Sequence, residues 1–175
     1  NTLVAAREFD CKRVIMTGSL EEPVHSCKPK APSSPYAAAK SAAGLYGQMF
    51  YQLYSLPVVT LRPFMTFGPG QKEHKIIPYT IRSMLRGQSP LLTSGARLVD
   101  WIYVDDVITA FIAAATAPGA EGMEIDIGSG SLTSIRKVVN CIHGLIEQAP
   151  EPTFGALEDR TNEQVRVADL NTAET

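Results

Sequence analysis

A long helical stretch between two short apolar stretches constrains the fold of this chain more than any other feature. The helix is predicted from Pro35 to about Tyr54, because proline fits the first helical position, where its missing N–H costs nothing. Ser34 is a good N-cap, since its hydroxyl can accept a free backbone N–H. Residues 13–17 and 57–61 predict buried strands. Strand, loop, helix and strand make a βαβ unit, so we predict an α/β fold with a parallel sheet.

The interior of this helix is rich in small residues, including Gly44 and Gly47. Each glycine costs a helix about 1 kcal/mol relative to alanine, so we predict that the helix packs closely against another element. Parallel sheets of this kind bind ligands beyond the carboxyl ends of their strands. Ser19 and residues 62–64 follow the two predicted strands, and Tyr36 opens the helix. We therefore expect these residues to face one crevice.

Tyr36 and Lys40 lie one turn apart on the same face of the predicted helix. The helix dipole and the ammonium both favour the phenolate form of the tyrosine, which suits it to general acid/base chemistry. A Tyr-x-x-x-Lys pair is a weak motif by itself, because both residue types are common. Its place at the start of the helix strengthens the interpretation, and the rest of the chain decides it.

Composition argues against several classes of function. The 175 residues carry a net charge of −2, which is no basic footprint for nucleic acid, and no apolar run is long enough to span a membrane. The 3 cysteines are scattered, which favours reduced thiols in a cytoplasmic protein. The 3 histidines share no metal-ligand spacing with each other or with the cysteines, so we predict no metal site.

The Gly- and Pro-containing break at residues 67–70 is the predicted domain boundary, dividing the chain into residues 1–70 and 71–175. Helix start and stop signals and apolar runs predict five further elements after the break. These are helices at 76–86, 105–117 and 134–148, with Asp105 capping the second, and strands at 98–104 and 123–127.

Several segments, in order along nearly the whole chain, carry a resemblance to a known family. They are Thr-Gly-Ser at 17–19, Tyr-x-x-x-Lys at 36–40, Leu-Arg-Pro-Phe-Met-Thr-Phe-Gly-Pro-Gly-Gln at 61–71, Asp-Trp-Ile-Tyr-Val-Asp-Asp-Val at 100–107 and Ile-Asp-Ile-Gly-Ser-Gly at 125–130. Together they resemble the extended short-chain dehydrogenase/reductases of the nucleotide-sugar epimerase/dehydratase family. The resemblance implies that residues 1–70 are the C-terminal part of a Rossmann-like sheet domain, and that residues 71–175 are an incomplete, smaller α/β substrate-binding domain. It also implies a further half, with a glycine-rich dinucleotide loop, upstream of Asn1.

The resemblance implies a nicotinamide cofactor, NAD or NADP, and roles for the residues around it. Tyr36 is expected to move a proton on a sugar hydroxyl while hydride moves to or from the nicotinamide. Lys40 is expected to hold the nicotinamide ribose, and Ser19 to bond the reacting oxygen, although a turn-forming hydroxyl is the alternative for Ser19. The residues expected to border the cofactor are Thr17, Tyr36, Lys40, Pro63 and Phe64. For the last two, the end of a core strand is the alternative.

Glu21 is ambiguous. In the dehydratases of this family a carboxylate near this position helps to remove water from the sugar, but Ser-Leu-Glu-Glu-Pro at 19–23 lacks an Asp-Glu pair. Glu21 is either a second acid/base or, with Glu22, part of a solvated loop face. Full dehydration needs a second base, so the sequence favours a nucleotide-sugar epimerase, with a 4-ketoreductase or 4,6-dehydratase as alternatives. A non-catalytic binding relative is the alternative of another class, and the Ser19, Tyr36 and Lys40 trio argues against it.

Three residues are expected by resemblance to contact a nucleotide-diphosphate sugar: Met65, Arg97 and Arg166. The family usually has Asn at position 65 and Arg at position 99, and methionine cannot make the hydrogen bonds of an amide. Arg97 lies two residues before Val99 on a predicted strand, so it can point the same way and replace that guanidinium. Arg166 matches a late arginine that pairs with the diphosphate. Surface salt bridges are the alternative for both arginines.

The family commonly pairs two subunits through the helices that flank the sheet. The outer side of residues 42–53 carries Tyr46, Met49, Phe50 and Leu53, more apolar residues than a solvated face needs. We therefore expect a homodimer, with cover by the upstream half of the family fold as the alternative.

Overall fold

The computed structural model describes residues 1–23, 31–159 and 165–172. The helices of these ranges are α1 (Thr2–Glu8), α2 (Pro35–Tyr54), α3 (Ile76–Leu85), α4 (Val104–Thr116) and α5 (Ile135–Leu145). The strands of the same ranges are β1 (Val14–Thr17), β2 (Val58–Pro63), β3 (Met65–Phe67), β4 (Leu91–Leu92), β5 (Leu98–Tyr103), β6 (Glu124–Ile127), β7 (Leu132–Ser134) and β8 (Thr153–Phe154).

The first sheet has the order β1-β2-β6 and is parallel throughout. Thr17 at the end of β1 pairs with Leu61, and Leu61 pairs in turn with Ile125 of β6. The predicted βαβ unit is therefore β1-α2-β2, and the α/β class with a parallel sheet is confirmed. A second sheet has the order β3-β5-β7, in which β3 is parallel and β7 antiparallel to β5. A short parallel pair joins β4 and β8.

The helix α2 begins and ends where local chemistry dictates. The Ser34 hydroxyl accepts the N–H of Ala37 at 3.1 Å, which satisfies one of the free donors of the first turn. The helix ends at Ser55, which adopts the left-handed conformation with φ 54. Gly47 lies against the sheet, where an added Cβ would stand 2.7 Å from Met16 Sδ. The predicted close packing of this helix is confirmed at that glycine.

Side chains alternate between the two faces of the first sheet. On one face, Val58 packs with the buried Phe50 of α2 and Leu56. On the other face, Val59 and Leu61 pack with residues of α4. Phe50 was expected on the outer side of α2, and this expectation is wrong: only 8% of its surface is exposed. Met49 also packs against that cluster, so the outer apolar side of α2 is formed by other residues.

Two further points concern local structure and domain division. Asp105 does not cap α4: the N-cap is Tyr103, which makes no side-chain capping bond, and Asp105 lies within the first turn. The division of the chain at residue 70 stays a prediction. The chain returns to the first sheet at β6, since that strand pairs with β2.

Asp100 ties three segments together from within β5. Its side chain is buried, with 2% of its surface exposed. Oδ1 accepts the N–H and the hydroxyl of Ser129, both at 2.7 Å, and Oδ2 accepts the N–H groups of Gly130 at 3.1 Å and Ala168 at 2.9 Å. The carboxylate therefore holds the turn after β6 and the segment 165–172 against the second sheet.

We predict that Asp100→Ala lowers the free energy of unfolding of the intact protein by about 3 kcal/mol or more, because it leaves the buried N–H of Ala168 and the N–H groups of Ser129 and Gly130 without their acceptor. Urea unfolding followed by circular dichroism measures this loss. Asp106→Ala is the matched control: Asp106 is exposed in the first turn of α4 and loses only its interaction with the helix dipole. The control should cost less than about 1 kcal/mol, and an equal loss in both variants would contradict the assignment.

Candidate functional site

The first turns of α2 bring Tyr36 and Lys40 to the carboxyl end of β1. The Lys40 ammonium donates to the carbonyl of Thr17 at 2.7 Å, and Nζ lies 5.8 Å from the centre of the Tyr36 ring. About half of the surface of Tyr36 is exposed (52%), so part of this residue is accessible to a ligand. An ammonium has more donors than this one bond uses, so Lys40 can also bind hydroxyl groups of a ligand.

Ser19 lies two residues after Thr17, which Lys40 contacts, and one residue beyond the close approach of β1 to β2. The N–H of Gly18 donates to the carbonyl of Leu61 at 2.7 Å, which extends the β1–β2 pairing past the strand end. Ser19 is buried, and its hydroxyl oxygen accepts the N–H of Glu21 at 3.2 Å. The turn-forming alternative is therefore present in the structure. This bond uses a lone pair of the hydroxyl oxygen and not its hydrogen.

Glu21 is exposed and lies at the start of α2. Its Oε2 accepts the hydroxyl of Ser34 at 3.4 Å, and Ser34 is the N-cap two residues before Tyr36. A carboxylate thus lies at the same end of α2 as the proposed acid/base. This placement is compatible with a second acid/base and with a solvated loop residue.

Glu22 is the residue that the sequence interpretation missed. It was grouped with Glu21 as a possible solvated face, which is wrong for Glu22, since only 6% of its surface is exposed. Its Oε1 accepts the N–H of Ser19 at 2.5 Å. The carboxylate fits there because residue 18 is glycine: an added Cβ would lie 2.6 Å from Oε1. Gly18 is the one local signal that could have pointed to this arrangement.

Burial raises the pKa of the Glu22 carboxyl, and the neighbouring Glu124 carboxylate raises it further. The N–H of Ser19 and the charges of Arg62 and Lys40 act in the opposite direction. Glu22 therefore interacts both with the charged residues of β2 and β6 and with the ammonium of the candidate site. Its ionisation is linked to the residues that surround Ser19.

Beneath Glu22, Arg62 of β2 bridges two carboxylates of β6. Its Nε donates to Asp126 Oδ1 at 2.7 Å, and its Nη1 lies 3.2 Å from Glu124 Oε2. Gln48 of α2 adds a hydrogen bond to Glu124 at 2.9 Å. These bonds join α2 to β2 and β6 beneath the candidate site.

A small pocket adjoins the Ser19 segment. Its lining residues are Leu20, Phe64, Met65, Arg97, Leu98, Val99, Asp100 and Arg166. The structure thus brings together the three residues that were expected to contact a nucleotide-diphosphate sugar. Val99, the position at which the family usually has arginine, lines the same pocket as Arg97. The pocket lies next to the segment that follows β1, because Leu20 is one of its walls.

Arg166 is not a surface residue, since only 11% of its side chain is exposed. Its Nη1 donates to the carbonyls of Leu20 at 2.6 Å and Glu22 at 2.8 Å. Its Nη2 lies 3.8 Å from Asp126, and its guanidinium carbon lies 5.5 Å from the centre of the Phe64 ring. Burial lowers the pKa of Arg166, and the Asp126 carboxylate partly offsets this. The guanidinium therefore holds the segment after Ser19 from the side of the pocket.

Pro63 ends β2, and Phe64 follows it as a wall of the pocket. Pro63 pairs with Ile127, and the N–H of Phe64 donates to the carbonyl of the same residue at 2.8 Å. Phe64 is 4% exposed. Both residues are part of the packed end of a strand, and they lie beside the Ser19 segment because β1 and β2 are parallel neighbours.

Some kinds of site are absent from the described residues. Within 1–23, 31–159 and 165–172, no group of three or more His, Cys, Asp or Glu side chains could hold a metal ion. No helix in these same ranges is long and apolar enough to cross a membrane. Cys11 and Cys141 are free and exposed.

The sequence model of the NAD dependent epimerase/dehydratase family matches residues 1–128. The chain is 32% identical over 136 residues to the UDP-glucose 4-epimerase of Mycolicibacterium smegmatis, covering 75% of this chain and 43% of the relative. It is 35% identical over 129 residues to the dTDP-glucose 4,6-dehydratase of Neisseria gonorrhoeae, covering 73% of this chain and 37% of the relative. The chain thus spans less than half the length of these two relatives.

Solved structures agree with the sequence comparison. The UDP-N-acetylglucosamine 4-epimerase from Methanobrevibacter ruminantium, in complex with UDP-N-acetylmuramic acid, superposes with a TM-score of 0.86 at 28% identity. The match covers 98% of this chain and 58% of that one. MoeE5, in complex with UDP-glucuronic acid and NAD, superposes with a TM-score of 0.83 at 27% identity, covering 98% and 60%. Since the family match extends over most of its length, this chain belongs to the NAD dependent epimerase/dehydratase family.

Proposed function

We propose that this chain is the acid/base and sugar-nucleotide part of an enzyme, a nicotinamide-dependent nucleotide-sugar epimerase. The observation that carries the proposal is the placement of Tyr36 and Lys40 at the end of β1, where Lys40 bonds the carbonyl of Thr17. A pocket lined by two arginines adjoins the same segment. An acid/base beside a cation-lined pocket suits a substrate that has both a reacting hydroxyl and a diphosphate.

The donors present fit the ribose of a nicotinamide cofactor, NAD or NADP. Lys40 and the half-exposed Tyr36 offer an ammonium and a hydroxyl side by side, and vicinal ribose hydroxyls are suitable partners for both. Thr17, Pro63 and Phe64 are proposed to border the same group. When bound, the nicotinamide supplies hydride transfer. The solved relative MoeE5 supports this proposal, since its complex contains NAD together with UDP-glucuronic acid.

Three side chains are proposed to act on the sugar. Tyr36 takes a proton from a sugar hydroxyl and later returns it. Lys40 places its ammonium beside Tyr36, with Nζ 5.8 Å from the ring centre, where it can bond hydroxyl groups of the ligand. Ser19 donates its hydroxyl hydrogen to the reacting oxygen while its hydroxyl oxygen still accepts the N–H of Glu21.

The 4,6-dehydratase alternative is favoured by one observation, the exposed Glu21 carboxylate at the start of α2. As a second acid/base, Glu21 would help to remove water from the sugar. Leu20 stands where a second acidic residue would complete a pair, and its backbone carbonyl is held by Arg166. The epimerase therefore remains the first candidate, and a 4-ketoreductase uses the same Tyr36 and Lys40.

Met65, Arg97 and Arg166 are proposed to contact the nucleotide-diphosphate sugar. Arg97 is placed to meet the diphosphate from β5, because it lines the pocket together with Val99. Arg166 lines the same pocket while its Nη1 holds Leu20 and Glu22. The N–H groups of Arg166 that do not bond Leu20 or Glu22 are proposed to bond the ligand.

The protein is proposed to work as a homodimer in the cytoplasm. On α2, Leu45, Tyr46 and Leu53 are exposed by 56%, 59% and 67%, which is a large apolar surface for one helix. A second copy of the same helix is a suitable cover. The division into residues 1–70 and 71–175 is kept as part of this proposal.

The proposed reaction is tested by incubating the intact protein with nucleotide-sugars while the absorbance of reduced nicotinamide is followed. An epimerase returns its hydride, so we expect interconversion of sugar epimers without net consumption of reduced cofactor. Steady oxidation of NADPH with a 4-keto sugar would instead identify a ketoreductase, and release of water from the sugar would identify a dehydratase.

Removing the acid/base should abolish most of the activity. We predict that Tyr36→Phe lowers kcat about a hundredfold or more, because the proton on the sugar hydroxyl loses its acceptor. Tyr51→Phe is the matched control, since Tyr51 lies on the same helix, is 39% exposed and keeps its ring in the variant. Unchanged turnover in Tyr36→Phe would contradict the catalytic assignment and favour a non-catalytic binding protein.

The diphosphate assignment predicts a different kinetic effect. Arg97→Ala should raise KM for the nucleotide-sugar about tenfold or more, because a charge-assisted bond to the ligand is lost. Arg82→Ala is the control, since Arg82 pairs with Glu73 on the exposed side of α3. Equal KM values in the two variants would show that Arg97 does not contact the substrate.

A further inference from the structure

A buried carboxylate lies directly behind the residues proposed to act on the sugar. The Oε1 of Glu22 accepts the N–H of Ser19 at 2.5 Å, and the N–H of Glu22 donates to the carbonyl of Ser19 at 3.1 Å. Both the side chain and the backbone N–H of Glu22 therefore bond to the backbone of Ser19, which closes residues 19–22 into a turn. Since Ser19 has little freedom within this turn, the position of its hydroxyl depends on Glu22.

Glu22 fills the space between β1, β2 and α2. A Cβ at Gly18 would meet both Glu22 Oε1 at 2.6 Å and Arg62 Cγ at 2.8 Å. On the other side, a Cβ at Gly44 would lie 3.6 Å from Glu22 Oε2 and 3.4 Å from Glu124 Oε1. Gly18 therefore leaves room for this carboxylate on the segment after β1, and Gly44, a single turn beyond Lys40 on α2, lies at contact distance from it.

Within the described residues, charged groups of α2, β2, β6 and the segment 165–172 surround Glu22. They are Lys40 on α2, Arg62 on β2, Glu124 and Asp126 on β6, and Arg166, which bonds the Glu22 carbonyl. The cations Arg62 and Lys40 favour the charged form of Glu22, while Glu124 and burial disfavour it. A carboxylate buried at such a cost, in contact with Ser19 and within the field of Lys40, has the surroundings of a functional group.

We propose that Glu22 is a positioning residue that, as a carboxylate, holds Ser19 against Tyr36 and Lys40. This proposal rests on the proposed function, in which Ser19 bonds the reacting oxygen. An ionised acceptor makes a hydrogen bond roughly twice as strong as a neutral one, so the carboxylate holds the Ser19 N–H more firmly than the carboxylic acid does. Glu22 touches no substrate in this assignment and acts only through Ser19.

The assignment predicts a dependence on pH. Because burial raises the pKa of Glu22 above its ordinary value of 4.5, the side chain takes up its proton in a window above pH 4.5. As the pH falls through this window, the hold on Ser19 weakens and kcat falls. The other charged groups around Glu22 are a lysine, two arginines and two carboxylates on β6. None of them is substituted in the variants compared below.

The test compares the intact wild-type protein with Glu22→Gln, whose amide oxygen is a neutral acceptor of the same shape. We expect kcat at neutral pH to fall about tenfold, the acid limb of the kcat profile to disappear, and KM for the nucleotide-sugar to stay within about twofold. Glu121→Gln is the matched control. Glu121 pairs at 2.5 Å with Arg13, which precedes β1 and so lies at the opposite end of that strand from Ser19. The control should keep the wild-type profile.

A second readout does not depend on the proposed reaction. Hydrogen exchange at the Ser19 amide, measured on the same proteins by mass spectrometry, should be about tenfold faster in Glu22→Gln than in wild type or Glu121→Gln. If wild type turns over no nucleotide-sugar, the proposed function fails while exchange still reports on Glu22. Unchanged exchange at Ser19, or a wild-type acid limb retained in Glu22→Gln, would overturn the positioning role.

Discussion

The hydrogen bond from Lys40 to the carbonyl of Thr17 joins the helix α2 to the end of β1 at the point where both carry the proposed chemistry. It depends on the parallel pairing of β1 with β2, since α2 is the crossover between these strands. The Ser34 cap sets where α2 begins, and so sets where Tyr36 and Lys40 lie along the strand end. A shift of one residue in this helix start would move both side chains away from Ser19.

Charge buried beneath this site holds the turn at residues 19–22 in place. Glu22, Glu124 and Asp126 are carboxylates, and Arg62 and Arg166 are the guanidinium groups among them. Burying each of these charges is costly, and hydrogen bonds such as Arg62 to Asp126 at 2.7 Å and Arg166 to the carbonyl of Leu20 at 2.6 Å offset part of that cost. The network joins α2, β2, β6 and the segment 165–172. It therefore links the Ser19 turn on one side to the arginine-lined pocket on the other.

Local sequence rules predicted the central unit well. The helix from Pro35 to Tyr54 has the predicted bounds, because proline, the serine cap and the left-handed Ser55 are local determinants. The parallel sheet followed from two apolar runs with a helix between them. The sequence did not predict β3, β4, β7 and β8, which contain two or three residues each and form only because a partner strand lies beside them. Phe50 was misplaced because the apolar residues of α2 surround the helix rather than forming one clear stripe, so the sequence alone did not indicate which of them meets Val58.

The sequence by itself determined the α/β class, the helix that carries Tyr36 and Lys40, and the residues that signal the family, because these depend on spacing within short segments. Only the tertiary structure decided that Glu22 is buried while Glu21 is exposed, although the two are adjacent and chemically identical. It also decided that Arg166 bonds the carbonyls of Leu20 and Glu22, which lie far from it in the chain. Burial and long-range hydrogen bonds depend on which distant segments meet, and no local pattern specifies those partners.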